Sequence, residues 1–261
     1  MVKELEKNRF SLVLSGGGAL GIAHLGVLQD LEKFNLKPSQ LVGTSMGGII
    51  AACVAIGLNS SDILKLIEEF AKVTKWVKFS FSGNSIIDSS KIEEIFLEIF
   101  KNSYLNEVKV PLKIIATNIK TGQKRVFSNS DNILIKDALL ATMAIPGIFS
   151  EKIIDNEVYA DGFLCENLAL SEASFDTILA VDVLGKNSFN QDLPDNFFKT
   201  LNVLEMFEKS MRLLIFNQTN LIKNSIKDKK LFLLEPNTKN YKTYHFHKYK
   251  EIKNLGLNLL S

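Results

Sequence analysis

The sequence predicts an α/β protein built on a mostly parallel sheet with helices over both faces, and three observations carry that expectation. Short apolar, β-rich runs alternate along the chain with stretches whose apolar residues recur at helical spacing. Two of the early strand-to-helix junctions are rich in glycine, Gly16-Gly17-Gly18-Ala19-Leu20-Gly21 and Gly43-Thr44-Ser45-Met46-Gly47. The 261 residues, 46% hydrophobic and 23% charged, are enough to bury one large core. Strands that alternate with helices form parallel, covered sheets, and reactive groups gather at the carboxyl ends of such strands.

The elements follow in order. Phe10-Ser11-Leu12-Val13-Leu14 is a first strand, and after the glycine run Ala19 to Leu31 reads as a helix with Ile22, Leu25, Leu28 and Leu31 on one face. Gln40 to Gly43 is a second strand, followed by a helix running from the glycine turn to Gly57. Asn59-Ser60-Ser61-Asp62 caps a helix carrying Ile63, Leu66, Ile67 and Phe70, and Asp88-Ser89-Ser90 caps another carrying Ile92, Ile95, Phe96 and Ile99. Between them Phe79 to Asn84 reads as a loop that exposes aromatic rings. Pro111 to Asn118 is a strand that turns at Thr121-Gly122 and returns over Arg125 to Phe127. Ile135 to Ala144 is a helix stopped by Ile145-Pro146. Lys152-Ile153-Ile154 and Val158-Tyr159-Ala160 make a hairpin about Asp155-Asn156 that delivers Asp161-Gly162, and Thr177 to Leu184 is expected to be the last buried strand. Asn196 to Asn224 is a helix with Phe197, Leu201, Leu204, Phe207, Met211, Leu214 and Leu221 at helical spacing, the face expected to cover the sheet. Residues 1–190 are therefore read as one domain, with 191–261 a helical and basic extension packed on it.

Composition excludes several functions. A formal net charge of +2 is too small for a nucleic-acid binder, because most lysines alternate with acids as on solvated helix faces. Cys53 and Cys165 have no metal-type spacing and read as reduced core residues, so no metal and no cofactor is expected. Glu4 and Glu6 and the three consecutive glycines argue against a signal peptide, and the longest apolar run, Met46 to Leu58, falls short of the ~20 residues that span a bilayer. The expected location is cytoplasmic. From Lys223 to Lys253 lysines outnumber acids, which suits peripheral contact with an anionic membrane, although a solvated face is the commoner cause. Oligomeric state is left open.

Gly43 to Gly47 is the Gly-x-Ser-x-Gly pattern of a nucleophile elbow. A serine thrust out of a tight strand-to-helix turn needs neighbours without Cβ atoms, and Gly43, Gly47 and Gly48 supply that room. Ser45 and the Met46 amide then stand at a helix N-terminus, where a developing oxyanion is stabilised. Gly16, Gly18 and Gly21 also satisfy the Gly-x-Gly-x-x-Gly pattern of dinucleotide sites. That reading needs an acidic residue at the end of the next strand, and here that strand ends at Gly43-Thr44-Ser45. A row of outward-pointing amides suits an oxyanion instead.

Together with Ile22-Ala23-His24-Leu25-Gly26-Val27-Leu28, Ala144-Ile145-Pro146-Gly147-Ile148-Phe149 and Asp161-Gly162, these motifs lie in one order over residues 10 to about 185. In this the chain resembles the patatin-like phospholipases of bacterial type. The resemblance implies a three-layer α/β/α fold, with residues 1–190 as the acyl hydrolase domain. It implies a lipid or phospholipid ester as substrate and a dyad in which Ser45 attacks the ester while Asp161 accepts its proton. It further implies an oxyanion hole of main-chain amides from Gly16, Gly17 and Gly18. Phe163 departs from the pattern, which usually has Gly or Ala after Asp-Gly; if that position needs a positive φ, Phe there is strained.

Other assignments compete. Asp-Gly is above all a turn dipeptide, and Asp137, Asp155, Asp176 and Asp182 are rival acids. In α/β-hydrolases the order is Ser, acid, His, which Ser45, Asp161 or Asp182, and His245 or His247 would satisfy; the Lys-rich surroundings of Tyr244-His245-Phe246-His247 read instead as surface. His24 reads as structural. Two readings keep the fold but change its use: acyl transfer to another alcohol, or a lipid-binding regulator without efficient chemistry. A carboxylate base must be raised from its usual range by partial burial, and the acid limb of the pH–rate profile is expected to lie below that of a His-based triad.

Overall fold

A computed structural model of the chain describes residues 1–74, 90–189 and 200–261. The loop expected at Phe79 to Asn84, the Asp88-Ser89 cap and Phe197 lie outside the described residues. The elements are helix α1 (Val2–Lys7), strand β1 (Phe10–Leu14), helix α2 (His24–Lys33), β2 (Gln40–Thr44), α3 (Met46–Ala55), α4 (Ser60–Thr74), α5 (Ser90–Phe100), β3 (Leu112–Asn118), β4 (Lys124–Ser128), α6 (Ile135–Thr142), β5 (Lys152–Ile154), β6 (Glu157–Asp161), a short α7 (Phe163–Glu166), β7 (Thr177–Val181), α8 (Thr200–Ser225), β8 (Lys230–Leu234) and α9 (Tyr249–Asn254).

Among the described residues all eight strands form one mixed, mostly parallel sheet. β1 lies between β2 and β7 with both pairings parallel, β2 pairs in parallel with β3, and β7 with β8. Successive residues of β1 alternate between two cores. Leu12 and Leu14 join Leu41, Ile114 and the helices α2 and α3 on one face; Val13 joins Val42, Ile115, Ile178 and Ile222 of α8 on the other. Every residue of β1, β2 and β7 is buried, as strands covered on both faces must be.

A register detail places the site. β4 runs antiparallel along β3 from Lys113 to Thr117, taking one edge of that strand. A strand has two hydrogen-bonding edges, so β2, which pairs with Leu112 to Ile115, and β6, which pairs with Ala116 to Asn118, share the other edge end to end. Thr44 faces Ile115 and Asp161 faces Ala116. The C-terminal ends of β2 and β6, one running up the edge and one down, therefore meet head to head.

The structure departs from the sequence reading in four places. The helix expected from Ala19 begins as a 3-10 turn over Gly18–Ala23 and becomes α-helical only at His24, because Gly18 has φ +54 and breaks the regular path. Thr177 to Leu184 is not the last strand: it ends at Val181 and is followed by β8, which extends the sheet beyond it. Among the described side chains of α8, Arg212, Ile215 and Thr219 are buried while Leu214 and Leu221 are 63% and 74% exposed; the side chains of Leu201, Leu204 and Phe207 lie outside the described residues. Helical spacing locates the helix but misplaces Leu214 and Leu221 on its inward face. Cys53 is buried, and burial pushes its thiol up to about 12, whereas Cys165 is only half-buried, its Sγ donating to the Gly122 carbonyl at the β3–β4 turn.

Candidate active site

Ser45 occupies the junction of β2 and α3 with φ 52 and ψ −126, a conformation that costs a non-glycine residue on the order of 1–3 kcal/mol and persists only where the surroundings impose it. Those surroundings are visible. The Ser45 N–H donates to Thr142 Oγ1 at 2.8 Å, and the Thr142 hydroxyl in turn donates to the Ile115 carbonyl. A Cβ on Gly43 would lie 2.4 Å from the Gly47 carbonyl oxygen, and one on Gly47 would lie 2.3 Å from that of Leu14. Both contacts are with backbone, so the crowding argument for glycine at the elbow holds. Ser45 is 6% exposed.

Asp161 ends β6 directly beyond Thr44. Its N–H donates to the Ala144 carbonyl at 2.9 Å, its own carbonyl accepts the Thr117 hydroxyl at 3.0 Å, and Oδ1 accepts the Phe163 N–H at 3.0 Å. Burial, complete here, pushes the carboxyl up from 3.8 to about 7; the Ser45 hydroxyl and the Phe163 N–H pull it part of the way back. Oδ2 is buried and completes no hydrogen bond. The serine hydroxyl is thus close enough to the carboxyl to favour its charged form.

The concern over Phe163 is resolved by the backbone. Gly162 has φ −66 and caps α7, and Phe163 is the first residue of that helix; neither position has positive φ. Gly162 is required for another reason, since a Cβ there would stand 2.3 Å from the Ile115 carbonyl oxygen.

The glycine run crosses the same end of the sheet. Gly16 is clamped by Asn167: its N–H donates to the Asn167 carbonyl at 3.2 Å, and Asn167 Nδ2 donates back to the Gly16 carbonyl at 3.3 Å. That clamp corrects the expectation for Gly16, whose amide is already used. The N–H groups of Gly17, Gly18 and Met46 have no acceptor among the described residues. Gly21 lets the run lie against α3, because a Cβ there would meet Met46 Cγ at 2.5 Å. Gly18 abuts the chain near the C-terminus, and the following Ala19 N–H donates to the Thr243 carbonyl at 2.7 Å. Thr243 is itself held by Glu208 of α8 through its N–H and hydroxyl, and Glu208 pairs with the buried Arg212 at 2.8 Å.

The histidines stand elsewhere. His24 is fully buried and Nε2 donates to the Ser15 carbonyl at 2.9 Å, with burial lowering its pKa to about 4, so it is a neutral ring bracing the end of β1. His245 Nδ1 accepts the Lys242 N–H, and its ring stacks edge-on against His247; neither is bonded to Ser45 or to an acid. Among the rival acids, Asp137 is paired with Lys152 at 2.8 Å, Asp155 makes the hairpin turn with φ 51, and Asp176 gives its carbonyl to the Lys230 N–H. Asp182, pushed up to about 6 by burial, has Ser15 rather than Ser45 as its side-chain partner.

The arrangement can deprotonate a hydroxyl with a buried carboxyl and offer backbone N–H groups to an anion beside it. Among the described residues no group of three or more His, Cys, Asp or Glu side chains could hold a metal ion, and no helix is long and apolar enough to cross a membrane. Sequence reasoning misses Thr142, Thr117 and Asn167. A threonine near a helix C-terminus and an asparagine five residues beyond Asp-Gly carry no local signal; only the tertiary packing gives them their partners.

Comparison with known proteins gives the family and the fold. The family model described as patatin-like phospholipase matches residues 12–174. A lysophospholipase NTE1 of Debaryomyces hansenii is 24% identical over 282 residues, covering 98% of this chain and 18% of that protein. An uncharacterized NTE family protein of Mycobacterium tuberculosis is 23% identical over 187 residues, 70% of this chain and 32% of its own length. The chain therefore spans less than a third of the length of these relatives. Among solved structures, VipD from Legionella pneumophila superposes with a TM-score of 0.52 at 14% identity, covering 94% of this chain and 66% of that one, which shows a shared fold.

Proposed function

The chain belongs to the patatin-like phospholipase family, and from that premise we propose that it is a lipid acyl hydrolase that cleaves carboxylic esters through Ser45 and Asp161. The observation that carries the reading is the Ser45 hydroxyl beside a buried carboxyl poised near pH 7, with no imidazole bonded to either group. In the first step Asp161 Oδ2 takes the hydroxyl proton as Ser45 Oγ bonds to the ester carbonyl carbon, and the carbonyl oxygen becomes an anion. The N–H groups of Gly17, Gly18 and Met46 are the donors available to it, and preorganised donors of this kind typically contribute several kcal/mol each to such a transition state. Collapse breaks the bond to the leaving alcohol, which takes the proton from Asp161, and an acyl-Ser45 ester remains. Water then attacks that ester with Asp161 as base, releasing the fatty acid and restoring the hydroxyl.

A raised pKa is what such a base needs, since an ordinary carboxylate is too weak to take a proton from a hydroxyl at neutral pH. The helical conformation of Phe163 removes the sequence-level reason to expect a fold that has lost its chemistry. The test is release of fatty acid from p-nitrophenyl esters and from a lysophospholipid by the purified protein and by Ser45→Ala. Turnover abolished in the variant supports the reading, and equal turnover in both sinks it.

A further inference from the structure

A cavity of about 160 Å³ opens beside α6 and the segment that leads into β5, lined by Leu140, Met143 and Phe149 with Glu93, Glu151 and Lys152 around them. Three consecutive residues tie it to the site: Thr142 accepts the Ser45 N–H, Met143 lines the cavity, and Ala144 accepts the Asp161 N–H. The cavity therefore begins one residue from a contact to the nucleophile and one residue from a contact to the acid. Leu140 and Met143 lie at i and i+3, on one face of the end of α6. The polar groups around them are largely committed. Lys152 is bound to Asp137 at 2.8 Å and Glu93 to Lys136 at 2.9 Å, so no cation is spare for a phosphate head group, and Glu151 would repel one. What remains to attract a ligand is the apolar surface of Leu140, Met143 and Phe149, in a cavity of a size that suits a slender chain rather than a bulky group.

We propose that this cavity takes the acyl chain of the ester, with Met143 setting the length of chain that is accepted. The inference rests on the hydrolase reading and deepens it, because it assigns an end of the substrate to each side of Ser45: the chain toward Met143, the head group away from it. A bulkier side chain at 143 fills part of the cavity, and a smaller one at 149 enlarges it.

The test compares wild type, Met143→Trp and Phe149→Ala on p-nitrophenyl acetate, octanoate and dodecanoate, with melting temperature as the check on folding. It also measures binding of a fluorescent fatty acid to each of them in the Ser45→Ala background. The ratio of kcat/KM on dodecanoate to that on acetate is expected to fall about tenfold or more in Met143→Trp, the factor that denying burial to two methylene groups produces. Fatty-acid affinity should fall in parallel, and Leu221→Trp, on the exposed face of α8, should leave the ratio as in wild type. A folded Met143→Trp with wild-type ratio and affinity overturns the proposal, whatever its turnover. If no ester is cleaved by wild type, yet fatty acid binds and Met143→Trp weakens it, the cavity assignment stands and the hydrolase reading falls. Should Met143→Trp not fold, Phe149→Ala decides: a shifted chain-length ratio supports the assignment, and an unchanged one refutes it.

Discussion

Replacing Asp161 with Asn is expected to stabilise the protein at alkaline pH even as it destroys turnover. The carboxyl is raised by burial from 3.8 to about 7, so between these values the folded state holds a proton that the unfolded chain has released. The sign follows from linkage: stability from this group is fully present below pH 3.8 and is lost as pH climbs through about 7. At about 1.4 kcal/mol for each tenfold change in proton affinity, the full effect is on the order of 4 kcal/mol, of which about 2 kcal/mol falls between pH 5.5 and 8.5. The amide that replaces the carboxyl does not titrate and is blind to this window. Urea unfolding at both pH values should therefore show the stability of Asp161→Asn relative to wild type rising by about 2 kcal/mol from the lower pH to the higher. Asp182, also raised by burial, titrates in both proteins and cancels in the comparison. A difference that is the same at both pH values would refute the claim that Asp161 is a buried group holding its proton near neutrality.

Other expectations concern the parts that hold the pair. The acid limb of kcat/KM for ester hydrolysis should have an apparent pKa near 7, the value to which burial pushes Asp161; a limb near 4 would mean that the base is solvated. Thr142→Val removes the acceptor of the Ser45 N–H and should cost about 1–3 kcal/mol in denaturant unfolding together with a fall in kcat, whereas Thr142→Ser should retain both. Gly47→Ala puts a methyl group 2.3 Å from the Leu14 carbonyl oxygen and should cost about 3 kcal/mol or more, readable as a collapse of soluble yield or melting temperature.

The nucleophile is legible in the sequence because its constraint is local. Gly43 and Gly47 must lack Cβ atoms within a five-residue turn, and that demand is written in adjacent letters. Asp161 is legible as a strand end, and as the partner of Ser45 only through the family resemblance, since their meeting depends on β2 and β6 sharing one edge of β3, a matter of register between strands more than a hundred residues apart. Its pKa escapes the sequence for the same reason. A carboxyl expected to be partly buried is wholly enclosed, so the acid limb is expected in the range of a histidine, where the sequence alone leads to one below it. β8 is hidden because Lys229 and Lys230 precede an apolar run too short to announce itself beside the lysine-rich stretch around it. The inward face of α8 around Leu214 and Leu221 is misread because Arg212 is buried, its desolvation offset by Glu208 and the Ser188 and Tyr241 carbonyls, a trade that residue type alone does not reveal.

The most direct test is the rate at which a fluorophosphonate attaches to the protein, followed by intact mass and peptide mapping. A single adduct on Ser45 is expected in wild type, at a similar rate in His245→Ala and His247→Ala, and at least about 100-fold more slowly in Asp161→Asn. Labelling of Asp161→Asn at the wild-type rate, or its loss in either histidine variant, would contradict the account.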